Sequence, residues 1–237
     1  MPITAAARAL LGPLVDLVDL VLPRGCLGCR APGGPLCVRC RPAGAPLAVS
    51  GVGLPVTAAA PYVDALRTAV LAYKERGRRD LAPLLGGLLG DAVQSVRAGR
   101  APPQGQLVLV PVPSSRAARA ARGGDHLRRL AARAGSSSGL RVAPDALELT
   151  RVPRESAGLG IAERSANLDH AMRAGPPRGR AALVVDDVVT TGATLREAAR
   201  ALRAAGWPVA GAATVAVTPR RHGKGTVMPL AAPSGRD

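Results

Sequence analysis

The segment Ala182-Leu-Val-Val-Asp-Asp-Val-Val-Thr-Thr-Gly-Ala-Thr194 decides how this 237-residue chain is interpreted. Its residues 183–185 form an unbroken run of branched apolar side chains, which is typical of a strand covered on both faces. Two adjacent carboxylates, Asp186 and Asp187, end the run, and a loop rich in hydroxyl groups follows. A helical pattern then continues to Gly206. The stretch therefore predicts a buried strand, a loop and a helix.

The beginning of that helix is where we expect an anion to bind. Thr194 and Glu197 have the spacing of a capping box, which predicts a helix that begins at this point. Free backbone N–H groups, threonine hydroxyls and a glycine that permits close approach together form a phosphate site. The residues that we assign to it are Thr190, Thr191, Gly192, Ala193 and Thr194. The carboxylates of Asp186 and Asp187 suit vicinal hydroxyls or a hydrated magnesium ion, so a phosphorylated ribose would satisfy both halves.

This succession of a hydrophobic strand, an acidic pair, two apolar residues and Thr-Thr-Gly-x-Thr resembles the phosphoribosyl pyrophosphate (PRPP) loop of type I phosphoribosyltransferases. An ordinary strand-loop-helix turn with a fortuitous acidic pair is the alternative. The resemblance implies an α/β fold, a parallel sheet flanked by helices, with the ligand at the carboxyl ends of the strands. It also implies that PRPP binds with Mg²⁺, that Asp186 and Asp187 hold the ribose hydroxyls, and that Asp187 is a catalytic residue.

All four cysteines lie in the short segment from residue 26 to residue 40, as two Cys-x-x-Cys pairs: Cys26, Cys29, Cys37 and Cys40. Two such pairs among Gly, Pro and Arg residues can present four thiolates to one zinc ion. Disulfides are the main alternative, which the lack of an export signal disfavours, and a redox dithiol would need only one pair. We expect a compact structural zinc site whose ligand positions are all filled by the protein.

A second strand, Leu107 to Val112, runs into small hydroxyl residues and spaced arginines. Such a stretch predicts a cradle for pyrophosphate, because arginine offers paired donors to phosphate oxygens. The candidate residues are Ser114, Ser115, Arg116 and Arg122. A merely basic surface loop is the alternative.

Two helical patterns, Asp64 to Gly77 and about Asp80 to Val96, precede that strand. Lys74 lies near the end of the first and is a further candidate for ligand binding, although a solvated lysine favoured by the helix dipole is the alternative. We interpret residues 42–61, which are rich in Pro, Gly and Ala, as a linker. Further patterns predict a helix from Asp125 to Ala134 and strands near residues 147–150 and 209–217.

The order of these motifs resembles the ComF family. The resemblance rests on the cysteine pairs, Tyr-Lys-x-x-Gly at 73–77, Val-Pro-Val-Pro at 110–113, Arg122-Gly123, Arg164-x-x-Asn167-Leu168 and the PRPP loop. It implies transfer of phosphoribosyl to an unidentified nitrogen nucleophile, with Arg164 as a second catalytic residue in a loop, Arg151 to Gly179, that closes over the ligand. An ordinary helix start is the alternative for Arg164 and Asn167. One departure is Gly124, where the family commonly has an aromatic residue.

The family resemblance also implies a second function, a non-catalytic accessory in DNA uptake or processing that binds nucleotide or single-stranded DNA and a helicase-like partner. The net charge of +16 favours anionic partners. That charge is diffuse, however, and a codon bias toward arginine is an alternative explanation. Aromatic residues for base stacking are scarce, at 1% of the chain.

We divide the chain into an N-terminal helix, zinc module and linker (1–60), a phosphoribosyltransferase-like domain (61–219) and a basic disordered tail (220–237). The helix is expected over residues 4–22, where two aspartates argue against a signal peptide. No segment approaches the roughly 18 apolar residues that a bilayer span needs, so we expect a cytoplasmic protein.

Overall fold

The computed structural model describes residues 25–99, 105–151 and 168–219, together with the backbone of 227–229. The predicted helix over residues 4–22, Arg164 and Asn167 lie outside the described residues. The strands are β1 (Leu47–Val49), β2 (Val56–Pro61), β3 (Gln106–Pro111), β4 (Arg141–Val142), β5 (Leu147–Leu149), β6 (Met172–Ala174), β7 (Arg180–Val189), β8 (Val209–Val217) and β9 (Val227–Pro229). The helices are α1 (Asp64–Glu75), α2 (Ala82–Ala98), α3 (Arg116–Ala121), α4 (His126–Ser138) and α5 (Ala193–Ala204).

Seven strands form the main sheet in the order β4-β3-β7-β8-β2-β1-β9, with β7 near its centre. The five strands from β4 to β2 are parallel to one another, whereas β1 pairs antiparallel with both β2 and β9. Helices cover both faces, because alternate residues of β7 enter two different cores. Leu183 and Val185 pack with α1, α2 and α4, while Ala182 and Val184 pack with α5. The predicted parallel sheet flanked by helices is confirmed.

Small residues allow the helices to pack closely in a core that lacks phenylalanine. A β-carbon on Gly86 of α2 would lie 2.4 Å from Cβ of Arg133 in α4, and one on Gly90 would lie 2.3 Å from Oγ of Ser137. Only glycine permits these two helices to approach so closely. The contact fixes α4, whose first residue is His126, against the sheet.

The segment 42–61 differs from the predicted linker, since it contains β1 and β2. Five successive residues of β2, from Val56 to Ala60, are buried, and β2 pairs in parallel with β8. Alanine-rich composition suggested a linker because small side chains give a weak strand signal, whereas here they fit a sheet covered on both faces. The division of the chain into domains stays a prediction.

The strand predicted near residues 147–150 is present as β5, but it is not part of the main sheet. β5 pairs antiparallel with β6 in a separate two-stranded sheet, and β6 lies inside the segment that we interpreted as one long loop. Within the predicted disordered tail, residues Val227–Pro229 pair with β1. Among the described residues, no helix has both the length and the apolar character needed to cross a bilayer.

Candidate functional site

The carboxyl ends of the parallel strands meet at one edge of the sheet. Pro111 of β3 pairs with Val185 of β7, and Val217 of β8 pairs with Val189 of β7 and Pro61 of β2. Asp186 and Asp187 lie at this edge, which is where ligands bind in open α/β sheets. The acidic pair does not follow the strand as the sequence suggested but lies inside it, because pairing of β7 with β8 continues to Val189.

Asp187 is nearly buried, with 7% of its side chain exposed, and two cationic or hydrogen-bonding groups meet the same carboxylate oxygen. Nζ of Lys74 lies 2.8 Å and Nε2 of His126 lies 3.0 Å from Oδ2 of Asp187. Burial alone would raise the pKa of Asp187, but the charge of Lys74 and the hydrogen bond from His126 outweigh it, so the pKa lies below its usual value. Asp187 therefore stays ionised at neutral pH.

Lys74 is not the freely solvated lysine that the sequence left open. Burial lowers the pKa of its ammonium group, but the carboxylate of Asp187 more than compensates, so the pKa is raised overall. About a quarter of the side chain is exposed, at 26%. An ammonium has three donors, and the salt bridge to Asp187 occupies one of them. Lys74 can therefore also donate to an anion at this edge.

Asp186 has a different environment although it is adjacent in sequence. Burial, and then the negative charge of Asp187, raise the pKa of Asp186 to about 7. One of its oxygens, Oδ1, accepts a 2.8 Å hydrogen bond from the backbone N–H of Asp187. Asp186 is half-buried and forms no salt bridge among the described residues. It is the carboxylate of the pair that is available to a ligand or a cation.

His126 is a site residue that the sequence analysis missed. Its ring packs edge-to-face against Tyr73, with centroids 6.3 Å apart, and its carbonyl accepts a 3.0 Å hydrogen bond from the Tyr73 hydroxyl. Asp125 caps α4 by accepting from the N–H of Arg128 at 3.2 Å, which sets His126 at the first position of the helix. The available signal was a histidine, one of three in the chain, next to a good N-cap residue.

The phosphate loop has an unusual helix start. α5 begins at Ala193 and its N-cap is Gly192, at φ +75°, rather than Thr194. A β-carbon on Gly192 would lie 2.5 Å from Cγ1 of Val52, so both the backbone conformation and the available space require glycine here. This position brings the N-terminus of α5 against the turn between β1 and β2.

The predicted capping box is wrong, because Glu197 has other partners. Its buried carboxylate accepts from the backbone N–H of Met172 at 2.9 Å and from Nε of Arg200 at 2.7 Å. It thereby links α5 to β6, and Thr194 provides no side-chain cap. The spacing of the two residues matches a capping box, but tertiary contacts decide what Glu197 binds.

The loop before α5 leaves donors free. Among the described residues, the backbone N–H groups of Thr190, Thr191 and Gly192 have no hydrogen-bond acceptor. Thr191 shapes the loop: its Oγ1 accepts from the N–H of Ala193 at 3.3 Å, and its carbonyl accepts from Arg196 at 3.0 Å. Unused N–H groups beside a helix N-terminus form an anion-binding concavity.

The candidate pyrophosphate residues are arranged around the short helix α3. Ser115 is its N-cap and accepts from the N–H of Ala118, while the carbonyl of Ser114 accepts from Arg119 at 3.0 Å. Arg122 is exposed and close enough to Lys74 that its charge opposes the rise in the Lys74 pKa. Arg116 is exposed, and its side chain has no contact with the acidic pair among the described residues.

The loop at Gly124 is held by hydrogen bonds, although the ComF family commonly has an aromatic residue at this position. Its backbone has φ +140°, and its N–H donates to the carbonyl of Arg119 at 2.9 Å. The carbonyl of Gly123 accepts from Arg79 at 2.9 Å. Hydrogen bonds rather than a large side chain therefore hold the loop.

The four cysteines come together in the folded chain. The sulfur atoms of Cys26, Cys29, Cys37 and Cys40 all lie within 4.8 Å of one another. A tetrahedral zinc ion with Zn–S bonds of about 2.3 Å separates its sulfurs by about 3.8 Å, so the cluster fits zinc after small shifts. Backbone N–H groups of Gly28 and Cys37 donate to Sγ of Cys26 at 3.4 Å, which favours its thiolate. The backbone hydrogen bonds, that of Cys29 foremost, lower the pKa of Cys26 to about 6.

The cysteine module packs directly on the main core. Cys26 and Leu36 are buried in the same cluster as Leu66 and Val70 of α1. A β-carbon on Gly28 would lie 2.8 Å from both Sγ of Cys40 and Cβ of Ala65. The module thus sits against the N-terminal part of α1, the helix that also bears Lys74.

Comparison with known proteins agrees with this geometry. Residues 142–233 match the family model of the phosphoribosyl transferase domain. The matched region contains β7 with its acidic pair, the loop before α5, α5 and β8, but neither Lys74, His126 nor the cysteines. No curated protein matches the chain significantly.

Proposed function

We propose that this protein binds PRPP at the carboxyl edge of its main sheet and transfers the phosphoribosyl group to a nitrogen nucleophile. The observation that supports this most strongly is the continuous unit of β7, Asp186, Asp187, the loop of free N–H groups and α5. That unit lies inside the segment similar to a phosphoribosyl transferase domain. In the reaction the nitrogen forms a bond to C1 of the ribose, the bond from C1 to pyrophosphate breaks, and the nitrogen loses a proton.

Each part of PRPP has a matching group at this edge. The N–H groups of Thr190 to Gly192, with the N-terminus of α5 that Ala193 and Thr194 begin, bind the 5′-phosphate. Asp186 and Asp187 accept from the ribose hydroxyls. Ser114, Ser115, Arg116 and Arg122 bind the pyrophosphate, with Lys74 as an added cation. Positioning and charge stabilisation account for most of the catalysis that such a displacement requires.

The acidic pair also fits Mg²⁺, because carboxylate oxygens are its preferred ligands and Asp186 is accessible. A bound Mg²⁺ would neutralise pyrophosphate charge as the bond to C1 breaks. The role of the protein is to keep Asp187 ionised through Lys74 and His126, so that this carboxylate remains a hydrogen-bond acceptor at neutral pH. The proposed catalytic role of Arg164 remains a prediction.

The finer assignment to the ComF family is part of the proposal. It is supported by a cluster of four cysteines ahead of a segment similar to a phosphoribosyl transferase domain. We infer that the cysteines hold a structural zinc ion, and that the protein works in the cytoplasm. The accessory role in DNA uptake, with single-stranded DNA and a helicase-like partner, stays a prediction that no contact described above favours.

Pyrophosphate release tests the proposed function. The zinc-loaded protein is incubated with PRPP, Mg²⁺ and a panel of amines and nitrogen heterocycles, and released pyrophosphate is measured. We expect Asp187→Asn to lower the rate at least about 100-fold with any acceptor that supports turnover, because it removes charge that faces the reacting ribose. Asp91→Asn, an exposed change on α2, is the matched control. Equal rates for the two variants would contradict the assignment of the site.

A further inference from the structure

A cavity of about 790 Å³ lies between the cysteine module and the start of α1. One wall is formed by residues of the module and the chain after it, including Gly28, Cys29, Arg39 and Arg41. The other wall is formed by Ala60 and Pro61 at the end of β2 and by residues 63–68 at the start of α1. The family-matched segment begins at residue 142, so this cavity belongs to a part of the chain that the match does not cover.

The cavity and the acidic pair lie toward the same edge of the sheet, the one at which β2, β8 and β7 end. Pro61 of its wall ends β2, which is separated from β7 by β8 alone. Two strand spacings amount to about 10 Å, the length of one small molecule. Tyr62 follows Pro61, and the charges of both Lys74 and Asp187 act on its pKa, which burial raises. A molecule that extends from the cavity along this edge would therefore reach a ribose held at the acidic pair.

One polar group at this edge still has unused hydrogen-bonding capacity. Among the described residues, Oγ1 of Thr218 is the buried side-chain oxygen or nitrogen that has no hydrogen-bond partner. Thr218 directly follows β8, between the ends of β2 and β7, and its own N–H donates to Val189. A buried hydroxyl without a partner is costly, so an unsatisfied polar atom lies at this edge between the ends of β2 and β7.

The charges that line the cavity select for an anion. Three arginines, Arg39, Arg41 and Arg67, face one carboxylate, that of Asp64. In the described part of the chain, none of these guanidinium groups has a side-chain or backbone acceptor. Guanidinium groups without acceptors pair readily with carboxylate or phosphate oxygens.

The start of α1 adds backbone donors to the same wall. Its N-cap is Val63, which provides no side-chain hydrogen bond, so the first N–H groups of the helix remain open. Asp64 has φ +45°, a conformation that a residue with a β-carbon rarely adopts. Strained backbone of this kind is concentrated at ligand sites.

We propose that this cavity is the acceptor site, and that the acceptor is a small molecule with an anionic group in addition to its nitrogen nucleophile. The proposal rests on the proposed function, since it assumes a PRPP site at the neighbouring acidic pair. Arg39, Arg41 and Arg67 bind the anionic group, and the nitrogen points along the sheet edge toward β7. The anionic group is a carboxylate or a phosphate, which the experiment distinguishes.

Matched pairs of probes test this. The zinc-loaded full chain is titrated, with and without PRPP, with 2-aminobenzoate and 2-aminobenzamide, pyridine-3-carboxylate and pyridine-3-carboxamide, and 2-aminoethyl phosphate and 2-aminoethanol. We expect the charged member of at least one pair to bind about tenfold more tightly than its neutral twin. The pairs that show this preference identify carboxylate or phosphate as the anionic group. Equal binding in all three pairs would overturn the proposal.

Arginine variants test whether the preference for charged probes arises in the cavity. Arg39→Ala with Arg67→Ala should abolish it, whereas Arg133→Ala with Arg203→Ala, which removes two exposed arginines elsewhere, should leave it unchanged. Equal loss in both double variants would overturn the proposal, because the effect would then follow overall charge. PRPP affinity, measured separately, should be the same in all three proteins. If PRPP binds and no charged probe is preferred, the acceptor proposal alone fails; if PRPP does not bind, the acceptor role fails with the proposed function.

Discussion

The cysteine cluster and the cluster around Asp187 each bring together groups that can carry negative charge, but the two clusters differ in what stabilises that charge. At Asp187 the chain supplies its own partners, the ammonium group of a lysine at 2.8 Å and a ring nitrogen of a histidine at 3.0 Å. At the cysteines it supplies backbone N–H groups but no cationic side chain within the cluster. The four thiols therefore form a ligand set that an external cation could complete, while the acidic cluster has its partners within the fold.

The pKa values express the same contrast. At the cysteines, backbone hydrogen bonds lower the pKa of Cys26 to about 6, while the side-chain hydrogen bond with Cys26 raises the pKa of Cys40 to about 12. At the acidic pair, Asp187 is ionised. Burial and the neighbouring charge of Asp187 raise the pKa of Asp186 to about 7. One cluster thus has the ligand set of a metal site, and the other leaves one carboxylate available to a ligand.

Metal removal should give the largest effect. We expect a zinc chelator to lower the free energy of unfolding by several kcal/mol, about 3 or more, because the four thiols then lose the ion that pairs their charge. Thermal unfolding with and without chelator measures this, alongside a count of released zinc. In a Cys26→Ser, Cys40→Ser variant the chelator should have no further effect. Unchanged stability of the wild type after chelation would mean that the cluster is not a structural metal site.

Removing the charge of Asp187 should come next. Asp187→Asn leaves Lys74 and the buried His126 without their carboxylate, and breaking a buried pair costs about 3 kcal/mol. Urea unfolding at pH 7 measures the loss. Asp145→Asn, which breaks an exposed pair with Arg128, should cost less than about 1 kcal/mol. Similar losses of unfolding free energy in the two variants would show that the buried pairs of Asp187 stabilise the fold no more than an exposed salt bridge does.

Gly192→Ala should cost about 2 kcal/mol, since it combines left-handed backbone strain with overlap against Val52. Gly206→Ala is the matched control: φ is +84°, but open space surrounds the added methyl group, so only the strain of about 1 kcal/mol remains. In a Val52→Ala background, Gly192→Ala should cost less than it does in the wild type, whereas the cost of Gly206→Ala should be unchanged. Denaturant unfolding of these variants and of Val52→Ala alone measures this, and an equal cost of Gly192→Ala in the two backgrounds would rule out the contact as the cause.

The smallest expected effect has the opposite sign. The folded-state pKa of Asp186 is raised, so its protonated form is favoured, and its contribution to stability falls as pH rises from about 4 to about 7. Asp186→Asn should therefore stabilise the protein at pH 8 by on the order of 1 kcal/mol, with little effect at pH 4. Unfolding free energies at both pH values measure it. A loss of stability at pH 8 would contradict the assigned environment.

How much of the molecule could be predicted from the sequence depended on how local the signal was. Residues 182–217 form strand, loop, helix and strand in order, and their apolar runs and glycines show that directly. His126 was missed because it meets Asp187 only through tertiary packing, 61 positions apart in the sequence. The same holds for Glu197, whose partners Met172 and Arg200 replaced the expected cap.

The segment whose structure was predicted wrongly from the sequence, residues 42–61, is rich in small residues. β2 consists mostly of alanine, valine and threonine, which give no alternation when both faces are buried. The cavity beside the cysteine module could not be predicted either, because it forms where two separate segments, within residues 27–43 and 60–68, face each other. The cysteine cluster, in contrast, was evident from spacing alone, since metal ligation requires those residues at those intervals.

Calorimetric titration of the zinc-loaded protein with PRPP and Mg²⁺ tests the central claim most directly. The wild type should bind PRPP, and the Asp186→Asn, Asp187→Asn double variant should lose at least about 100-fold in affinity, or about 2.7 kcal/mol. A control double variant, Asp91→Asn with Asp145→Asn, removes two exposed carboxylates and should bind as the wild type does. No PRPP binding by the folded wild type, or equal binding by both double variants, would contradict a PRPP site at the acidic pair.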